Sequence, residues 1–331
     1  MSRPNEITRP SSLWRHRDFM KLWSGQTISQ LGSQVTLLAL PLAAILLFKA
    51  TPFQVGILST LEFLPFLLFG LPVGVWVDRL RRKPILVIAD IGRFLILGSI
   101  PLAHALDALH IGHLYVAAFL AGVLTVFFDV AYAAYLPSLI DRDRLVDGNS
   151  KLEISRSGAQ LAGPGLGGVL VQALTAPVAI LADAASYLGS VLFLVLIRRP
   201  EPPVEPGSGD RPKMARQIRE GLRYVLRHTL LRPVILCTAT LNLASGLYQV
   251  VILLFAVRSL GMSPGLIGGL LALGNLGFLV GAFVAGRISR RLGVGPTLIG
   301  AAALLGTGWG LVPLATRSIA IPLLIVAWTL G

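Results

Sequence analysis

Gly74-Val-Trp-Val-Asp78-Arg79-Leu-Arg-Arg82-Lys83 is a basic loop that caps one long apolar stretch and opens the next; a degraded copy, Gly286-Arg-Ile-Ser-Arg-Arg291-Leu-Gly, follows 212 residues later. The same offset of 212 pairs Pro52 with Pro264, Gly56 with Gly268, Pro84 with Pro296, Gly98 with Gly310 and Pro101 with Pro313, without a gap. Two copies in one orientation, each holding several apolar segments, predict an all-α polytopic membrane protein built from two parallel repeats. That architecture points to transport.

Composition leads to the same place. With 54% hydrophobic residues, 14% charged residues and a mean hydropathy of +0.74, the 331-residue chain has too little polar surface to be wetted as a soluble protein. A bilayer-crossing helix needs about 20 apolar residues. Ten spans are expected, near Leu22 to Phe48, Phe53 to Val77, Ile85 to Leu106, Leu114 to Leu136, Ser157 to Leu174, Val178 to Ile197, Val234 to Val257, Leu266 to Ala285, Thr297 to Leu314 and Ile319 to the end. Backbone amides cannot stay unpaired in lipid and the alternation of barrel strands is absent, so the spans are helices.

The net charge of +13 raises nucleic acid as a partner, and the placement of the charges argues against it. Of 29 Lys and Arg residues, 25 fall in alternate loops on one side, whereas the opposite loops hold Lys49, Arg258 and Arg317. The positive-inside rule then makes the amino terminus and the Arg198 to Arg232 loop cytoplasmic, in a plasma (inner) membrane, with a secondary attraction to anionic lipid. The first span is too long for a signal peptide and is expected to stay as an anchor. Cys237 is alone, so no intramolecular disulfide forms.

Arg199 to Pro212 carries four prolines before its last residue and a Gly207-Ser-Gly209 run, which reads as a linker. Beyond it Met214, Ile218, Leu222, Val225 and Leu226 recur at helical spacing among arginines, predicting an amphipathic surface helix. The expected division is residues 1–198, a six-helix amino-terminal bundle; 199–232, the cytoplasmic linker; and 233–331, an incomplete second bundle.

On these residues the chain resembles the major facilitator superfamily, and within it the branch of enterobactin exporters and macrolide efflux pumps. The likeness rests on Gly74 to Lys83, a small residue followed by Asp-Arg and a basic cluster. It also rests on Gly25-Gln-Thr-Ile-Ser-Gln-Leu-Gly32, on Ala134-Tyr-Leu-Pro-Ser-Leu139 before Asn149, and on Gly163-Pro164-Gly-Leu-Gly167-Gly168. The resemblance implies alternating access, a gate loop formed by Gly74, Asp78, Arg79, Arg82 and Lys83, and an antiporter motif in Gly163, Pro164, Gly167 and Gly168. In the family the counterpart of Asp78 meets the start of an eleventh helix; Arg81 departs from the family's usual Gly.

Read physically, Gly74 lets helix ends approach and Asp78 is a partner for a helix amino terminus, for Arg79 or for Arg82; alternatively the basic cluster only fixes topology. Gly163 to Gly168 also matches the dinucleotide fingerprint, with Asp183 placed 20 residues beyond Gly163, but it lies in an apolar helix with Pro164 inside and no strand before it. A kink and a close helix contact at the interface between halves are expected instead.

Gln26, Gln30 and Ser33 share one face of the first helix, and the 212-residue offset turns them into Thr238, Asn242 and Ser245. Such a repeated stripe contacts substrate in a central cavity or bonds another helix. Ionisable residues within spans are Glu62, Asp90, Arg93, Asp129 and Asp183. Arg93 and Asp129 fall at similar depth on antiparallel helices, which makes an ion pair feasible. Glu62 and Asp183 lack an obvious basic partner, so burial favours their proton-carrying forms and makes them candidates for proton exchange, Glu62 first. For each acid a purely structural bond is the alternative.

His104, His110 and His113 share an outer loop without zinc-ligand spacing, so no metal is expected. No nucleophile elbow, zinc-protease helix or Walker loop occurs, hence no catalytic residues, no cofactor beyond a proton gradient, and no ATP-driven step. Ile319 to Gly331 is too short for a span, and adding 212 to Ile197 predicts a natural end near residue 409. The expectation is a proton-coupled exporter of a hydrophobic or amphiphilic small molecule, drug-, macrolide- or siderophore-like, with lipid around it and no obligate protein partner. An uptake symporter, a non-transporting remnant or interaction protein, and a membrane enzyme are the alternatives.

Overall fold

A computed structural model describes residues 13–201, 223–224, 226–229, 231–316 and 319–330. These form α1 (Arg17–Phe48), α2 (Pro52–Val77), α3 (Arg82–Ala105), α4 (Ile111–Leu139), α5 (Leu145–Leu174), α6 (Ala176–Leu196), α7 (Leu231–Leu254), α8 (Pro264–Leu292), α9 (Val294–Leu311) and α10 (Ala320–Leu330). Among the described residues there is no strand. The linker from residue 202 and most of the expected amphipathic helix lie outside the described residues.

Helix starts repeat with the sequence. Pro52 and Pro264 both open their helices, behind Thr51 and Ser263, whose hydroxyls accept from the backbone N–H three residues on. Proline at the first helical position loses nothing, because its missing N–H would be unpaired there anyway. Adding 212 to Arg82 gives Val294, and each begins its helix.

Each of the ten expected spans falls on one of these helices. Among the described residues seven helices are long and apolar enough to cross a membrane: α1, α2, α3, α4, α6, α7 with its extension to Ser259, and α9 extended to Leu314. α5 opens with Asp147, Lys151, Glu153 and Arg156 and α10 has 11 residues, whereas α8 runs 29 residues from Pro264 to Leu292.

Within the first six helices α1 packs on α5 and α6, α2 on α4, and α3 on α4 and α6. α5 crosses to α8, α7 touches α2, and α10 lies on α8 and α9. Two buried apolar clusters result. One gathers Ala50, Val55 and Leu58 with Ala256, Met262, Ile267 and Val312, so both repeats share it at the end where Lys49 and Arg258 lie. The other, at the basic end, is drawn among the described residues from 13–197 alone, including Phe19, Val77, Tyr135 and Ile197. The halves are thus sealed together at the low-charge end.

Candidate functional site

A buried charge cluster forms where α1, α3, α4 and α6 meet. Asp90 and Asp183 are fully buried and Arg93 nearly so. Arg93 ion-pairs with Asp90, one helical turn away on α3, and its guanidinium lies 4.3 Å from the centre of the Phe128 ring and 4.2 Å from that of Tyr187. Two aromatic faces take the place of water around the cation. The expected partner, Asp129, is exposed on α4 and makes no bond to Arg93, though it stays within electrostatic range of Arg93 and Arg156. The shorter tether wins, because residues three apart on a helix already face each other.

Asp183 accepts from Ser186 at 3.2 Å, with Thr36 and Tyr187 beside it and Arg93 in range. It is therefore not the isolated acid the sequence suggested. Its approach to α1 depends on Gly32: a Cβ there would lie 2.5 Å from the Asp183 carboxylate and 2.9 Å from Ser186 Cβ. Oδ2 of Asp90 and of Asp183 have no hydrogen-bond partner among the described residues. Glu62 is half-buried on α2 without a side-chain hydrogen bond, and Asp183 is the charge acting on it.

Tyr187 links the cluster to the first polar stripe, its hydroxyl 2.9 Å from that of Ser33. Gln26 is buried and Gln30 Oε1 is buried without a partner, so the α1 stripe faces the protein interior. The second stripe differs. Thr238 and Asn242 are exposed, Ser245 is half-buried, and Asn242 bonds its own helix at the Thr238 carbonyl, 2.8 Å away.

The Gly163 to Gly168 run lies mid-helix in α5, which excludes the strand-loop-helix context a dinucleotide fingerprint requires. Gly163 abuts Gln34 and Gly167 abuts Val35 of α1, while Gly168 faces α8 so closely that a Cβ would fall 2.9 Å from the Gly268 backbone. Pro164 lacks the N–H that would bond the carbonyl four residues back. That carbonyl, of Gln160, instead accepts from Asn275 Nδ2 of α8 at 2.7 Å.

In the gate loop Asp78 is exposed at the end of α2, and its carboxylate takes no hydrogen bond or ion pair among the described residues. Arg79 is exposed and Gly74 has open space around it. The cap on α3 comes from Glu201, whose carboxylate accepts from the Arg82 N–H at 2.8 Å, the Lys83 N–H at 3.3 Å and the Arg82 guanidinium at 3.3 Å. Lys83 Nζ donates to the Ile197 carbonyl at 2.8 Å. A carboxylate at a helix amino terminus meets unpaired N–H groups and the positive end of the dipole, and Glu201 reaches that place where Asp78 does not.

His113 bonds Ser99 at 2.8 Å, and His110 packs edge-on against it. They border a crevice of about 450 Å³ between α3 and α4. No group of three metal-ligating side chains occurs among the described residues. Sequence reasoning missed Tyr187, Phe128, Glu201 and Asn275. The last was findable as the one polar side chain between Pro264 and Ala285.

Helices that bury charge within membrane-length apolar segments define a polytopic membrane protein. The chain belongs to the Major Facilitator Superfamily, whose family model matches residues 22–331. It is 28% identical over 281 residues to the uncharacterized MFS-type transporter YfiS of Bacillus subtilis, covering 83% of this chain and 65% of that protein. It is 27% identical to the multidrug efflux pump Tap of Mycolicibacterium fortuitum, covering 83% and 68%. Macrolide efflux protein A of Streptococcus pyogenes is 24% identical, over 62% of this chain and 50% of that one. The chain thus spans about two thirds or less of these relatives' length. Among solved structures, a bacterial homologue of the lysosomal transporter Spinster, inward-facing, aligns at TM-score 0.69 and 15% identity over 96% of this chain and 73% of its own. An inward-facing bacterial homologue of the iron transporter ferroportin aligns at 0.69 and 16%, over 96% and 81%. The family and the seven membrane-length apolar helices found among the described residues make this a multi-pass membrane protein.

Proposed function

We propose that this chain exports a hydrophobic or amphiphilic small molecule, drug- or macrolide-like, in exchange for protons. The observation that carries the reading is the buried cluster of Asp90, Arg93 and Asp183, joined through Tyr187 to the Ser33 stripe of α1. Two fully buried carboxylates share one buried cation, so one acid is in excess and can take up and release a proton as the surroundings change. Efflux by the relatives Tap and macrolide efflux protein A supports export and the substrate class. Retention of this cluster supports transport over a non-transporting remnant.

Residues 1–198 and 233–331 act as the two moving bodies, joined by a cytoplasmic linker over 199–232, in the plasma membrane with the amino terminus inside. The shared apolar seal at the low-charge end corresponds to an inward-open state, in line with the inward-facing neighbours. Opening and closing around a midplane cavity carries the substrate past lipid, with no cofactor beyond the proton gradient and no further protein partner.

Efflux of a fluorescent dye and of a macrolide from cells expressing the chain, at matched membrane amounts, tests this. Efflux that collapses with an uncoupler and falls at least tenfold in Asp183→Asn or Glu62→Gln is expected. Rates equal to empty vector overturn the reading, and accumulation instead of efflux makes the protein an uptake symporter.

A further inference from the structure

The two turns related by the 212-residue offset meet at the low-charge end. One joins α1 to α2 through Lys49, with φ 49°, and buried Ala50; the other joins α7 to α8 through Gly261, with φ 66°, and buried Met262. Apolar burial holds the turns together, and a polar bond crosses between them. The Arg258 guanidinium donates to the Ala50 carbonyl at 2.6 Å, across 208 residues of sequence.

Arg258 owes its place to a π-helical turn, Phe255–Ser259, that ends α7. Such a turn shifts the register of the side chains that follow and is found most often at functional positions. The offset mate of Arg258 is Leu46, so the first repeat has no counterpart donor. Arg258 is also one of only three Lys and Arg residues in the loops at this end, where the charge asymmetry of the chain disfavours cations.

We propose that Arg258 is a latch residue: its bond to the Ala50 carbonyl holds the two repeats together at the low-charge end and breaks when that end opens. This rests on the alternating-opening reading above. A charged donor makes the closed state stronger than a neutral bond would, while the exposure of Arg258 lets water take over the guanidinium once the turns separate. The α5–α8 seam, with Gly168 and Gly268 in backbone contact, does not involve Arg258 and need not part with it.

The test places spin labels at Ala108 and Leu314, exposed on the two halves at this end, in a Cys237→Ser background of the full chain in lipid nanodiscs. Distances are measured by pulsed electron resonance. Relative to the parent, Arg258→Ala is expected to raise the ratio of long to short distances about fivefold, the size of a charge-assisted bond partly replaced by water. Arg258→Lys, which keeps a donor, should fall between, and Lys49→Asn, which removes a charge that bonds nothing across the halves among the described residues, should leave the ratio unchanged. Monodisperse elution and unchanged circular dichroism show that each variant is folded. A parent ratio in Arg258→Ala, with a long-distance population present, overturns the latch alone. Absence of long distances in every variant overturns the latch and the alternating-opening reading together.

Discussion

Arg93 illustrates how a cation is kept inside apolar helices: a carboxylate one turn away, an aromatic ring on either side and a second acid in range. Breaking such a buried pair from one side leaves an uncompensated charge, at a cost of about 3–5 kcal/mol, whereas removing both charges is close to neutral. Arg93→Met should therefore lower the thermal unfolding midpoint in detergent sharply, and adding Asp90→Asn should recover most of the loss; equal loss in the single and double variants would refute the pairing. Gly32→Val is expected to separate α1 from α6 at Asp183, at a cost of about 1–3 kcal/mol from overpacking, read by the same melting experiment. The sequence singled out Glu62, Asp90, Arg93, Asp129 and Asp183, because charge inside apolar runs is conspicuous. It weighed Asp129 as a feasible partner for Arg93, whereas the ion pair formed is with Asp90. Depth along a helix can be counted from the sequence, but the direction in which a side chain points depends on packing, and the three-residue spacing of Asp90 and Arg93 was the stronger signal.

At the level of elements, the starts of α2 and α8 were legible because proline after a hydroxyl residue is a local signal that tertiary packing seldom overrides. Spans were less legible: α5 is a continuous 30-residue helix whose first half is charged, so its apolar run understates its length. What the sequence could not reveal is which helix answers Pro164. Asn275 does so by donating to the freed Gln160 carbonyl. Asn275→Leu should cost about 0.6 kcal/mol, the average of interhelical side-chain bonds in membranes. Pro164→Ala should make that cost vanish, since the restored N–H would satisfy the same carbonyl within α5. The check is a double-mutant cycle of unfolding in mixed micelles; additive losses would show that Asn275 acts elsewhere.

Over the whole molecule, charge and packing describe opposite ends. Basic loops gather at one end, where the buried cluster is confined to residues 13–197, while the end poor in Lys and Arg holds the apolar core shared by both repeats. The repeat was readable because the offset of 212 aligns prolines and glycines that shape backbone. The unequal sealing of the two ends was not, because it depends on how helices far apart in sequence pack. Glu201 belongs to this asymmetry, since its carboxylate ties the chain after α6 back to the start of α3 at the basic end. If the basic end is cytoplasmic, cysteines placed at Asp107 and at Glu153 in a Cys237→Ser background should differ in whole cells. An impermeant maleimide should label Asp107→Cys within minutes and reach Glu153→Cys only after the cells are opened, because both positions are exposed and only the membrane separates them. The reverse pattern would invert the topology and, with it, the side on which the Arg258 latch opens.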